Sequence, residues 1–179
     1  MRTTVVWRLM AAAMFVSLGA IPAQAAEPPA VDVAGGYVFL AGVGYGNTYP
    51  SGWLASVGVS VTPVVSVVGE IGGSYDNNPG IAPGIPDLNA SFYNFMGGPR
   101  IASHRNRAFT PFAQVLVGDI RVGNNLGGYV HNFSWQPGGG IDIALTRALG
   151  LRLQGDYRLI WVGGILKQFR VTTGIVFRR

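Results

Sequence analysis

Charge in this chain keeps to one parity of a two-residue repeat. Between Phe133 and Leu145 the odd positions are Phe133, Trp135, Pro137, Gly139, Ile141, Ile143 and Leu145, all uncharged. The even positions between them are Ser134, Gln136, Gly138, Gly140, Asp142 and Ala144. After Thr146-Arg147-Ala148 the alternation resumes, with Leu149, Leu151, Leu153, Gly155 and Tyr157 on one face and Arg152, Gln154, Asp156 and Arg158 on the other. Period two belongs to the β-strand, whose successive side chains point to opposite faces. Two long antiparallel strands joined by a tight turn fit this pattern. A turn centred on Arg147 sets Asp142 opposite Arg152, a cross-strand ion pair of a kind that contributes roughly 0.2–1 kcal/mol.

The same signal begins at Gly36 and recurs to the end of the chain. Tyr37, Phe39, Ala41, Val43 and Tyr45 alternate with Val38, Leu40 and Gly42, and Trp53, Ala55, Val57, Val59 and Val61 with Leu54, Ser56 and Gly58. Val65 to Tyr75, Tyr93 to Ile101 and about Phe109 to Val122 follow, and the last strand sets Phe169, Val171, Thr173, Ile175 and Phe177 against Arg170, Thr172, Gly174 and Val176. Gln114 shares a parity with Phe112, Leu116 and Ile120, which a bulge or an end position would explain. Eight strands result. Their connections alternate between longer ones at 47–52, 76–90, 123–130 and 162–167 and shorter ones at 62–63, 104–107 and 146–148, the long ones carrying the Gly, Pro and Asn of loops.

Residues 1–25 stand apart. Arg2 and Arg8 precede an apolar run from Leu9 to Ile21 and the sequence Ala23-Gln24-Ala25, the basic head, short hydrophobic centre and small-x-small ending of a secretory signal peptide. The run is short for a bilayer-spanning helix, which needs about 20 apolar residues. The expected organisation is a signal peptide over 1–25, a short lead-in over 26–35 and one β domain over 36–179. Removing Arg2 and Arg8 lowers Lys+Arg from 13 to 11 against 8 acidic residues, so the mature net charge is +3. The arginines alternate with acids instead of forming a basic stripe, which argues against nucleic acid as a partner. The absence of cysteine excludes a disulfide scaffold, and a hydrophobic content of 49% excludes disorder.

Which face meets water decides the class. The parity without charge carries almost every bulky apolar side chain, whereas the other carries Glu70, Arg100, Asp119, Arg121, Asp142, Arg152, Asp156, Arg158 and Arg170 among many glycines. In a soluble lipocalin-like carrier the apolar parity would line a pocket; in a membrane barrel it would face lipid. Strands of this length suit a tilted bilayer span, which takes about 9–11 residues. Aromatics gather toward the strand ends as interfacial girdles do, with Tyr45, Trp53, Tyr75, Tyr93, Phe133, Trp135, Trp161 and Phe169 toward the long loops and Phe39, Phe109, Phe112 and Phe177 toward the short turns. In lipid no backbone N–H or C=O can stay unpaired, so the eight strands must close. The expected fold is therefore an all-β, eight-stranded antiparallel up-and-down transmembrane barrel. An eight-stranded interior is filled by side chains, so the nine charged residues are expected to form a paired internal network.

Phe95-Met96-Gly97-Gly98-Pro99-Arg100, Thr110-Pro111-Phe112-Ala113-Gln114, Pro137-Gly138-Gly139-Gly140-Ile141-Asp142, Leu151-Arg152-Leu153-Gln154-Gly155-Asp156-Tyr157 and Thr173-Gly174-Ile175-Val176-Phe177 carry a resemblance to a known family. Over roughly residues 36–179 the chain resembles the small eight-stranded outer-membrane barrels of the OmpA/OmpX type, the outer-membrane β-barrel domain group. The resemblance implies the outer membrane of a Gram-negative bacterium, insertion by the outer-membrane assembly machinery, short turns in the periplasm and long loops outside. Outer-membrane lipid and lipopolysaccharide are the expected surroundings, and a monomer is expected. The family usually ends on an aromatic residue, whereas Arg178-Arg179 follow Phe177 here.

Some barrels of this shape are lipid A deacylases with a His and a Ser two apart on one lipid-facing strand. Here His131 and Ser134 are three apart and so on opposite faces, and no catalytic residue is expected. His104 falls in a short turn and is expected to be solvated. Asp76, Asn77, Asn78 and Asp87 match no calcium loop, and Gly123 to Gly128 lacks the lysine and the strand–helix setting of a phosphate loop, so neither metal nor cofactor is expected. The expected function is non-enzymatic, a structural or surface-interaction role in the envelope. The alternatives are a narrow charge-gated pore for water or small ions, and the soluble periplasmic lipid carrier.

Overall fold

The computed structural model describes residues 30–43, 48–49, 51–75, 90–106, 108–124, 129–161 and 163–179. The expected signal peptide, Tyr45 and the loop residues Asp76, Asn77, Asn78 and Asp87 lie outside the described residues.

The strands are β1 (Val31–Val43), β2 (Thr48–Tyr49), β3 (Ser51–Ser60), β4 (Val65–Tyr75), β5 (Ala90–Ala102), β6 (Phe109–Asn124), β7 (Tyr129–Ala144), β8 (Leu149–Trp161) and β9 (Ile165–Arg178). β2 and β3 both pair with β1 and form one stave, so the wall has eight staves, each antiparallel to the next. β1 closes the wall against β9 from Asp32↔Arg178 to Val43↔Lys167, so among the described residues the sheet returns on itself. The registers fix the stagger. Stepping round through Val33, Val57, Gly69, Gly97, Val117, Trp135, Leu159 and Lys167 leads back to β1 at Val43, ten residues beyond the start. Such a stagger tilts the strands by about 35–45°.

Two of the short turns use one device. Thr62 Oγ1 accepts from the Val64 and Val65 amides at 3.3 and 2.9 Å, and Thr146 Oγ1 accepts from the Ala148 and Leu149 amides at 3.3 and 3.0 Å. A hydroxyl that caps its own turn in this way sets the hairpin register locally. These turns and the 103–108 turn define the turn end of the barrel; the opposite end is the loop end.

The apolar parity faces outward, with Val33, Val57, Ile71, Val117, Val171 and Ile175 all exposed on the wall. A lipocalin-like arrangement would need this parity to face inward and line an interior pocket, and among the described residues it faces outward instead. Trp53 Nε1 donates to the Tyr75 hydroxyl at 3.1 Å, the Tyr75 and Tyr93 rings meet edge-on at 6.0 Å, and Phe133 and Trp161 lie 5.6 Å apart, so the loop-end aromatics form contacting groups.

Three expectations are corrected. β1 starts at Val31, not Gly36, because the alternation runs back through Val33 and Asp32 to the Pro28-Pro29 boundary. β6 has no bulge: its register with β7 is unbroken from Phe109↔Ile143 to Gly123↔Tyr129. Gln114 and Phe112 therefore point inward and are buried, whereas Asp119 and Arg121 point outward. Those two charges, near the loop end of β6, pair with each other at 3.3 Å with side chains 35% and 47% exposed, so they need no interior partner. The third concerns Phe39, which lies opposite Val171 in the loop-side half of β1 instead of toward the short turns.

Candidate functional site in the barrel interior

The inward parity builds two tiers of charge and an apolar plug along the barrel. At the turn end, residues from five strands converge: Asp32 near the start of β1, Arg100 near the end of β5, Asp142 near the end of β7, Arg152 near the start of β8 and Arg178 at the end of β9. Arg100 Nη1 donates to Asp32 Oδ1 at 3.0 Å, and its Nε donates to Gln114 Oε1 at 3.0 Å. Arg152 forms the two-pronged bond to Asp142, 2.7 Å from Nε and 2.8 Å from Nη2, and Nη2 also reaches Asp32 at 3.2 Å. Arg178 Nη2 lies 2.9 Å from Asp142 Oδ2. The Phe112 ring sits between the Arg100 and Arg152 guanidiniums, 4.8 and 4.9 Å from its centroid. Each such contact contributes about 2 kcal/mol when desolvated.

The second tier lies midway along β4, β8 and β9 and is centred on Arg170. Its Nη1 and Nη2 donate to the two Glu70 oxygens at 2.6 and 2.9 Å, and its Nε and Nη2 donate to Asp156 Oδ2 at 2.9 and 2.6 Å. Asn94 and Gln136 add donors to Glu70 at 3.2 and 3.4 Å, and Gln154 adds a bond to Asp156 at 2.9 Å. Arg158, wholly buried, donates from Nε to Gln136 at 2.9 Å, while its Nη2 has no hydrogen-bond partner among the described residues. Glycine makes room for the carboxylates: Asp32 leans over Gly58 and Asp156 over Gly138, each directly opposite on the next strand, where an added Cβ would collide with the carboxylate.

Beyond the second tier, Leu40, Phe92, Ile120 and Ile160 meet near the loop end, with Val122 and Leu166 packed against them; Val68, Met96 and Leu116 form a smaller group beside the second tier, with Met96 directly opposite Glu70. This plug was not foreseen from the sequence, where bulky apolar residues read as lipid-facing. Its signal was the inward parity of Leu40, Phe92, Ile120 and Ile160, four apolar residues near the loop ends of four different strands.

Of the nine residues expected inside, Glu70, Arg100, Asp142, Arg152, Asp156, Arg158 and Arg170 point inward and are buried, and Asp119 and Arg121 do not. The sequence reading missed Asp32, assigned to the lead-in, and gave Arg178 no part in the network. Outside, His131 Nδ1 lies 2.8 Å from Asp119 Oδ2, and Arg121 is stacked 4.8 Å from the centroid of Phe95. Ser134 is inside, donating to the Leu159 carbonyl at 3.0 Å, so wall backbone separates it from His131. His104, expected to be solvated, is half-buried at the turn end.

The sequence matches no protein-family model and no curated protein. The fold does have solved counterparts. Ail, the attachment invasion locus protein of Yersinia pestis, solved in complex with the heparin analogue sucrose octasulfate, superposes with a TM-score of 0.58 at 13% identity, over 85% of this chain and 99% of Ail. Neisserial surface protein A gives a TM-score of 0.61 at 12% identity over 83% of this chain and 96% of the other. The outer membrane protein AlkL, solved in lipid bilayers, gives 0.53 at 11% identity over 88% and 94%. At these identities the likeness is one of fold: this chain has the architecture of the small eight-stranded outer-membrane barrels.

Proposed function

We propose that this chain is a monomeric, non-enzymatic outer-membrane barrel of a Gram-negative envelope, closed to bulk solute, whose role is structural or lies in surface interaction through its external loops. One observation carries the reading. The outward face is an apolar belt with aromatic groups at its loop end, while the interior is filled by two ion-paired tiers and an apolar plug. A wall of that kind is stable only against lipid, and an interior of that kind leaves no aqueous lumen among the described residues. The partners on this reading are the assembly machinery during insertion, outer-membrane lipid and lipopolysaccharide around the belt, and whatever meets the loops.

Membrane fractionation followed by gel electrophoresis of boiled and unboiled samples tests it. The expected result is recovery with the outer membrane and a shift in migration on boiling, together with no steady conductance when the protein is inserted into a planar bilayer. Recovery in the soluble periplasm would overturn the assignment. A second reading, a narrow charge-gated conduit, is favoured by Arg158, whose free Nη2 stands in the same tier as the carboxylates that Arg170 holds. Single-channel openings that change on Arg158→Ala support that reading against the closed barrel.

A further inference from the structure

A cavity of about 20 Å³ lies in the turn-end tier. The charged or titratable groups lining it are Asp32, Arg100, His104, Asp142, Arg152 and Arg178. Three guanidiniums face two carboxylates, so the lining has a surplus of one positive charge with His104 neutral. Both carboxylates are already engaged: Asp32 accepts from Arg100 and Arg152, and Asp142 accepts twice from Arg152. Three nitrogens remain without a hydrogen-bond acceptor among the described residues: Arg152 Nη1, Arg178 Nη2 and His104 Nδ1. Arg178 Nη2 lies 2.9 Å from Asp142 Oδ2 as an ion pair. Arg152 is 2% exposed, so its spare N–H is out of reach of bulk water.

A polar cavity of at least about 10–15 Å³ holds one water-sized occupant. Water can accept from these donors but cannot balance the charge, and a surplus cation behind a low-dielectric wall attracts an anion. We propose that this cavity binds one small monovalent anion of halide size, held by Arg152 Nη1 and Arg178, with His104 beside it. The bound anion neutralises the tier and ties β8 and β9 to the 103–108 turn.

The test uses the refolded full barrel in detergent micelles. Its thermal unfolding midpoint is measured as sodium gluconate, whose anion is too large for the cavity, is replaced by chloride or bromide at constant ionic strength. The expected result is a saturable rise with either halide, and broadening of the ³⁵Cl resonance by the wild-type protein that bromide competes away. Arg178→Gln and His104→Leu each weaken halide binding tenfold or more; the second leaves every Asp–Arg pair intact and so serves if the first does not fold. Equal midpoints in chloride and gluconate with no line broadening overturn the proposal and leave water as the occupant. Halide dependence unchanged in the folded variants places the anion elsewhere and overturns it equally.

Discussion

Replacing Arg170 by methionine puts a number on the middle tier. Arg170 makes four hydrogen bonds to two carboxylates, and the side chains of Arg170, Glu70 and Asp156 are each no more than 1% exposed. Removing one partner from a buried ion pair costs about 3–5 kcal/mol, because the desolvated charge stays behind. Two groups reduce the loss. Asn94 and Gln136 still donate to Glu70, and Arg158, two residues from Asp156 on β8, has a free Nη2 to turn toward a carboxylate. The expected cost of Arg170→Met is therefore near the lower bound, about 3 kcal/mol. Glu70→Gln in the same chain recovers part of it, with a coupling energy of about 2 kcal/mol, within the range for residues in direct contact. Urea unfolding of vesicle-inserted protein, followed by the fluorescence of Trp53, Trp135 and Trp161 and extrapolated linearly, reads both quantities. A cost below about 1 kcal/mol, the level of a solvent-exposed pair, refutes the reasoning, as do additive single effects.

Gly174→Ala probes closure: its Cβ would lie 2.6 Å from Gly36 Cα across the β1–β9 seam, so the variant is expected to refold in lower yield and lose its heat-dependent gel shift, whereas Gly69→Ala, with open space at its Cβ, is not. Arg121→Ala is expected to change stability by no more than about 1 kcal/mol in the urea assay, as exposed pairs do, in contrast to Arg152→Ala, which breaks buried pairs and costs about 3–5 kcal/mol. Burial and the neighbouring Arg178 hold the His104 imidazole below its ordinary 6.5, against weaker opposing effects of the Pro63 backbone carbonyl, Asp142 and Asp32. Folded protein thus binds that proton less readily than unfolded protein, so in halide-free buffer stability is complete above 6.5 and declines as pH falls through that value toward the folded one; His104→Gln flattens the decline.

Parity made the wall legible. Once Asp142 and Arg152 fall on one face and Ile141 and Leu153 on the other, register and facing follow for the hairpin, and the same alternation places Glu70, Arg100, Asp156 and Arg170. The same rule misplaced Asp119 and Arg121 when charge was allowed to outweigh position. At a strand's loop end the outward direction leaves the hydrocarbon, so a charge there carries no information about facing. Asp32 is lost when the alternation is started at Gly36 and the residues before it are given to a lead-in, whereas the strand runs on to Val31. Phe112 was lost because an aromatic residue near a strand end resembles a girdle; only the three-dimensional meeting of Arg100 and Arg152 gives it an inward partner. The partner choices across the barrel, such as Arg170 with Glu70 one hundred positions away, follow from closure and the ten-residue stagger, which no local pattern encodes.

The central claim is that the charge-free parity faces lipid. The chain has no cysteine, so single cysteines can be introduced and spin-labelled at Ser56, Val57, Val171 and Thr172 in the vesicle-inserted protein. Collision rates with oxygen, which partitions into hydrocarbon, should be high at Val57 and Val171 and low at Ser56 and Thr172. High rates at Ser56 and Thr172 with low rates at Val57 and Val171, or no alternation between neighbours, would contradict the account.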